Sequence, residues 1–225
     1  MTQRLVIPSR EEVDRDLRVA QPWWRFSASF NVAVSYSIPV ARMHDRESEG
    51  VMMRWGMVGK SPAGDISFSN RARVRSDALQ TIEDLREPWL HGQRGIVPLA
   101  GFYLWQRTPA GYLQPFYVRL VNRPVFGVAA VWDRVESDAD DVYESCALIS
   151  VAANPLIADL GKTGRMLGIL QRGDYDAWLS GTVTEARSLL QTFPHSGMVS
   201  YPVAPYVNSL EYDEPVLIKP VTPAS

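Results

Sequence analysis

The chain has 225 residues, 46% of them hydrophobic, and a formal charge of −2 at pH 7. This length and composition fit one globular domain with a sizeable core, and the charge balance excludes a broad electrostatic drive toward nucleic acid, leaving only local patches to act. No apolar run approaches the roughly 18 residues of a membrane span, the opening MTQRLVIPSREE lacks the apolar stretch of a secretory signal, and the single cysteine, Cys146, has no intrachain disulfide partner; a cytoplasmic, monomeric protein is the expectation.

In chain order, SREEVDRDL opens with Ser9 as N-cap and Glu12 three residues on, a capping box that predicts a short helix. Residues 26–34, 51–58 and 65–70 read as strands, being rich in β-branched and aromatic residues. SDALQTIEDLREPWL predicts a helix opened by Ser76 and stopped before Pro88. Strands follow over 95–106, 113–121 and 124–135, joined by RTPAGY and NRP, connections that suit a β-meander. After the acidic turn ESDADD, YESCALISVAA reads as a buried strand that makes Cys146 an inert core thiol. GDYDAWLSG and TVTEARSLLQ predict two short helices, the second with Thr182 and Glu185 as another capping box, and GMVSYPVAPYV a last strand. The sum is an α+β fold: a strongly bent antiparallel sheet or β-barrel-like core with peripheral short helices, in one domain over 1–225.

Several chemistries find no support. LGKTGRM contains a GKT, but a phosphate-binding loop needs glycine where Leu156 stands. His44, His91 and His195 are scattered, and with one cysteine they give no zinc spacing. No GxSxG elbow is present. Neither a metal nor a cofactor is expected.

The basic residues are skewed: 20 arginines against Lys60, Lys162 and Lys219. Arginine grips phosphate with a planar fork, although a GC-rich genome raises its count as well. SNRARVRS sets Arg71, Arg73 and Arg75 on alternate positions after Asn70. In a strand they share one face, which suits a row of phosphates or, equally, a solvated edge strand.

FNVAVSYSIPVAR, MRWGMV, SNRAR, IVPLAGFYLWQ, VFGVAAVWD, VAANPLIADL, RMLGIL and YPVAPYVNS follow one another over nearly the whole chain. In that order they resemble the SRAP family, the SOS-response-associated peptidase-like or abasic-site-processing proteins. The resemblance implies a compact α+β fold with a basic cleft for single-stranded DNA. It also implies a reaction centre of an N-terminal cysteine freed by Met removal, an asparagine, a glutamate and a histidine.

Carried over, Arg4 and Asn70 match. Thr2 stands where the family has its cysteine, Leu104 replaces the glutamate of Gly-Phe-Tyr-Glu-Trp, and Gly161 falls near the histidine position, with Arg165 and Met166 retained beyond it. Either Arg71 or Arg73 takes the place of the family's arginine. The resemblance therefore implies catalytic positions Thr2 and Asn70, and a DNA-binding set of Arg4, Trp55, Asn70, Arg71, Arg73, Trp105 and Arg165. A threonine hydroxyl is a far poorer nucleophile than a thiolate, and leucine cannot move a proton, a role worth about 10²–10⁴ in rate. The expectation is a protein that binds single-stranded or abasic-site DNA with covalent capture lost or altered. The alternatives are capture by a Thr2 or Lys162 amine, and an accessory module that has left DNA altogether.

Overall fold

The computed structural model describes residues 4–61, 63–69 and 71–222. Among these, the strands are β1 Arg4–Ile7, β2 Gln21–Pro22, β3 Ser29–Ala33, β4 Ser37–His44, β5 Glu47–Trp55, β6 Val58–Lys60, β7 Ile66–Phe68, β8 Arg73–Arg75, β9 Arg94–Leu99, β10 Gly101–Arg107, β11 Leu113–Leu120, β12 Phe126–Glu136, β13 Val142–Ala152, β14 Arg165–Leu167 and β15 Met198–Pro202. The helices are short: α1 Arg10–Leu17, α2 Glu83–Leu90, α3 Pro155–Gly161, α4 Tyr175–Ser180 and α5 Val183–Ser188. None is long and apolar enough to cross a membrane.

Strands β13, β12, β9, β4 and β5 pair in that order, and β5 returns to β13 through a parallel contact at Arg54↔Ser145 and Trp55↔Cys146, closing a five-stranded barrel. Strands β14 and β8 extend from β13, and β2 from β5. A second sheet runs β15-β11-β10-β1-β3, and β6 and β7 form a separate hairpin. The expected α+β architecture, a bent barrel-like core with peripheral helices, is thus present.

Strand alternation divides the core. Val128 and Ala130 enter a cluster with Ile38, Val40, Met53 and Cys146, continuous with Phe102 and Leu104 of the second sheet. Their neighbours Ala129 and Val131 turn the other way, onto Trp89 and Trp178 of α2 and α4. Burying such side chains contributes about 1.5–3 kcal/mol each, so both faces of the barrel wall are committed. A third cluster, built on Tyr103, Tyr117, Val203 and Leu217, covers the far face of the second sheet.

Both capping boxes form: Ser9 with Glu12 at α1, Thr182 with Glu185 at α5. Three expectations need correction. Residues 95–106 are two strands, because the chain changes sheets at Ala100: β9 belongs to the barrel and β10 to the second sheet. The corner is held by the Ala100 amide donating to Val6 O and by the Tyr117 hydroxyl donating to Ala100 O. Gly101 is required there, since a Cβ would lie 2.4 Å from the Tyr117 ring. The NRP connection likewise crosses from β11 to the barrel strand β12, so only the RTPAGY link makes a hairpin of neighbours. Finally, Ser76 opens a single 3-10 turn, and α2 starts at Glu83 and runs through Pro88. Burial of Leu85, Pro88 and Trp89 outweighs the one helical hydrogen bond that proline removes.

Candidate functional site

Several guanidinium groups are carried by strands at or near the barrel closure. Arg4 begins β1 opposite Ala33 of β3. Burial draws its pKa down, partly opposed by Tyr36. Two residues after Ala33 the chain turns at Ser35, whose φ is +80°. The Ser35 hydroxyl accepts a 2.8 Å hydrogen bond from Arg54 Nη2, while Arg54 Nη1 donates to the carbonyls of Gly56 (2.6 Å) and Ser69 (3.2 Å). The Arg54 guanidinium also lies 5.4 Å from the ring centre of Phe68, an exposed aromatic that meets Tyr143 edge-on at 5.5 Å. Arg54 thus stands beside Ser69, whose amide donates to Met57 O, while the Met57 amide donates to Arg71 O.

Strand β8 lies parallel to β13, with Arg73 opposite Leu148 and Arg75 opposite Ser150. Arg73 lines a narrow crevice with Phe102, Ser150, Ile157 and Arg165, and burial lowers its pKa. Arg165, carried by β14, donates 2.5 Å to Ser150 O and stands 3.6 Å from Asp77. Arg75 grips Asp77 with two hydrogen bonds of 2.9 and 2.5 Å. The Arg75 hydrogen bond, with the nearby Arg165 charge, holds the Asp77 carboxyl down at about 2. One carboxylate therefore faces two guanidiniums, an arrangement that also suits a phosphate oxygen.

The alternate arginines do not form one row. Strand geometry begins only at Arg73; Arg71 precedes it and lines a different hollow, with Lys60, Asp84 and Asp133. Trp55 is no stacking platform: it is fully buried, and its indole N–H donates 2.8 Å to Ala72 O. The MRWG stretch presents Arg54 instead, because successive strand residues face opposite ways. Trp105 lies on the other face of β10 from Leu104, packed near Tyr103 with its N–H on Asn208 Oδ1 at 2.8 Å, and so does not join Arg73 and Arg165. Arg54 and Phe68, which the structure sets side by side here, were not among the expected residues; the arginine inside MRWG was the available signal.

Leu104 is 2% exposed and sits in the main core. It meets the C-terminal end of α3, where a side chain on Gly161 would bring its first carbon to 3.7 Å from Leu104 Cδ2. The positions matched to the family's glutamate and histidine are therefore neighbours, and both are without a titratable group. Lys162 follows in the left-handed C-cap (φ 45°), with an exposed side chain. Cys146 is completely buried, and burial pushes its thiol up to about 12. Thr2 and Asn70 lie outside the described residues. Among the described residues, no group of three or more His, Cys, Asp or Glu side chains is arranged to hold a metal.

The profile of the SOS response associated peptidase (SRAP) family matches residues 1–210. The chain is 25% identical over 250 residues to the mouse (Mus musculus) "Abasic site processing protein HMCES", covering 92% of this chain and 70% of that protein. It is 25% identical over 248 residues to the chicken (Gallus gallus) protein of the same description, covering 92% and 72%. Among solved structures, a Bordetella bronchiseptica protein superposes with a TM-score of 0.77 at 24% identity, covering 91% of this chain and all of that one. A Bacteroides thetaiotaomicron protein gives a TM-score of 0.75 at 22% identity, with coverages of 86% and 85%. With its barrel, its arginine-rich closure and a family match over nearly its whole length, the chain belongs to the SRAP family.

Proposed function

We propose that this chain binds single-stranded DNA at or beside abasic sites through Arg4, Arg54, Arg73 and Arg165, and that it does so without the covalent capture the SRAP pattern implies. The observation that carries the reading is Leu104, an apolar side chain sealed in the core where that pattern has its glutamate, with Gly161 against it.

Capture of an open abasic aldehyde requires an amine to form an imine with loss of water, and a thiol to add across that imine and close a thiazolidine. The sequence holds one thiol, and Cys146 is buried inside the barrel with its pKa pushed to about 12. A thiol so placed supplies no thiolate near neutral pH. What supports strand binding is the set of guanidiniums around the β5–β13 closure, together with the exposed ring of Phe68. Guanidiniums neutralise phosphates, and an exposed aromatic beside them offers a face on which a base stacks.

The test is a labelled single strand carrying one abasic site, mixed with the protein and read in two ways. Anisotropy across a salt series is expected to show log affinity falling linearly with log salt, at about 0.7 per phosphate neutralised. A denaturing gel is expected to show no heat-stable adduct, with or without borohydride. An adduct trapped only by borohydride points to an imine at Lys162 or the chain's first amine and overturns the non-covalent reading. Affinity that ignores salt overturns DNA binding itself.

A further inference from the structure

The hollow that holds Arg71 is absorbed by none of the chemistry above. It has a volume of about 500 Å³, within the range of small-ligand sites. Its described lining comes from four parts of the fold: β6 with the residue on either side of it, the residues Ser67, Ser69 and Arg71, the first turn of α2, and β12. Two of the lining residues, Ser69 and Arg71, are the chain neighbours of Asn70, the position matched to the family's asparagine.

It carries charges of both signs, and its Lys60 is already paired with Asp138 at 2.7 Å. Arg71 makes no side-chain hydrogen bond or ion pair with any described residue. Asp84 of α2 and Asp133 of β12 contribute two carboxylates to the same lining. Asp133 is half-buried, and only one of its oxygens is engaged: Oδ1 accepts 2.8 Å from the Arg134 amide and 3.4 Å from Gln93 Nε2. Oδ2 has no donor among the described residues. Burial, with a smaller contribution from Asp84, raises the Asp133 pKa, so an incoming donor relieves a desolvated and crowded carboxylate. Met57 and Val135 supply apolar surface.

We infer that this hollow is a nucleotide pocket, in which Arg71 meets a phosphate and the Asp133 carboxylate accepts hydrogen bonds from a base edge carrying an amino donor, guanine above all. This deepens the functional reading and rests on it for the strand to which the nucleotide belongs. An ionised carboxylate is acceptor-only. Guanine presents N1–H and the N2 amino group side by side, one for the open Oδ2 and the other to replace the long 3.4 Å contact of Gln93 Nε2 on Oδ1. Thymine offers a single N–H flanked by two carbonyls, which repel a carboxylate. A bidentate pairing discriminates by about 1–3 kcal/mol, so a preference of about tenfold for guanine is expected.

The experiment is titration of the full chain with dGMP, dAMP, dCMP and dTMP, followed by amide chemical shifts and calorimetry. The result expected is dGMP binding that perturbs residues of β6, β12 and α2, with dTMP about tenfold weaker. Asp133→Asn, which keeps the shape and exchanges one oxygen for a donor, should erase that preference while its thermal unfolding stays near that of the parent. Arg71→Ala should weaken all four nucleotides alike. Equal binding of dGMP and dTMP, or a preference that survives Asp133→Asn, overturns the proposal, as does the absence of any shift at these residues. A chain that takes dGMP here but shows no salt-dependent affinity for abasic strands keeps the pocket and sinks the functional reading; strand binding without nucleotide binding does the reverse.

Discussion

Gly161, at the end of α3, lies against Leu104 in the middle of β10: a Cβ at position 161 would sit 3.7 Å from Leu104 Cδ2 and 3.6 Å from Thr163 Oγ1. Two positions 57 residues apart in the sequence, the ones matched to an acid and a histidine, thus share one small volume, and the chain fills it with hydrocarbon. Restoring one group alone places a carboxylate among the apolar side chains of the main core. Leu104→Glu should therefore destabilise the fold by about 3 kcal/mol, through desolvation of the charged form or the penalty of keeping it neutral. Adding Gly161→His supplies a hydrogen-bond partner, and the double variant should recover about 1 kcal/mol relative to the sum of the two single changes. Denaturant unfolding of the four proteins reads the coupling; strict additivity would show that the positions do not communicate.

Asp77 occupies the fork of Arg75 and lies 3.6 Å from Arg165. Replacing it with the neutral isostere, Asp77→Asn, should free both cations and tighten binding to a single strand at low salt. The gain should be at most about fivefold, in keeping with what exposed ion pairs contribute. The sign with pH is fixed by the same contact. The folded carboxyl is held at about 2, below its ordinary value near 3.9, so its small stabilising contribution is complete above that ordinary value and is lost as pH falls through about 2. Carboxyl-carbon NMR across that window measures it directly, and an Asp77 titration near 4 would show that the Arg75 pair does not persist in solution.

Arg73 and Arg165 line the same crevice from different strands. Each Arg→Ala change should lower the salt slope of strand binding by about 0.7, the value for one phosphate on a single strand, and weaken binding without regard to sequence. An unchanged slope in both variants would remove the crevice from the interface.

What the sequence disclosed was local. Ser9 with Glu12 and Thr182 with Glu185 announce helix starts because a capping box is complete within four residues. The change of sheet at Ala100 was illegible because it is enforced from 17 residues away, by the Tyr117 hydroxyl and the ring that forbids a side chain at Gly101. Pro88 reads as a helix stop until Trp89 is seen packed on Trp178, 6.0 Å between rings. In the site, alternation alone determines which residue of MRWG faces outward, but the phase of a strand is set by its partners, and the most conspicuous residue, Trp55, proved to be the inward one. The arginine row failed for a similar reason: period-2 reasoning holds only within the strand, and Arg71 lies outside it.

The indole of Trp55 gives the sharpest separation of architecture from binding. Its N–H donates to Ala72 O, which also accepts from the Leu148 amide at 2.9 Å, so the ring helps fix β8 against the barrel closure from within the core. Trp55→Phe deletes that hydrogen bond and part of the buried ring while leaving Ala72 O with one donor. The expected loss is about 2 kcal/mol of stability, from the hydrogen bond and the space left behind. Affinity for single-stranded DNA, measured well below the variant's unfolding temperature, should stay within about twofold of the parent, because no face of this ring is open to a base. A large loss of affinity with stability intact would mean that Trp55 turns outward when the strand binds, and that the closure of the barrel opens to let it.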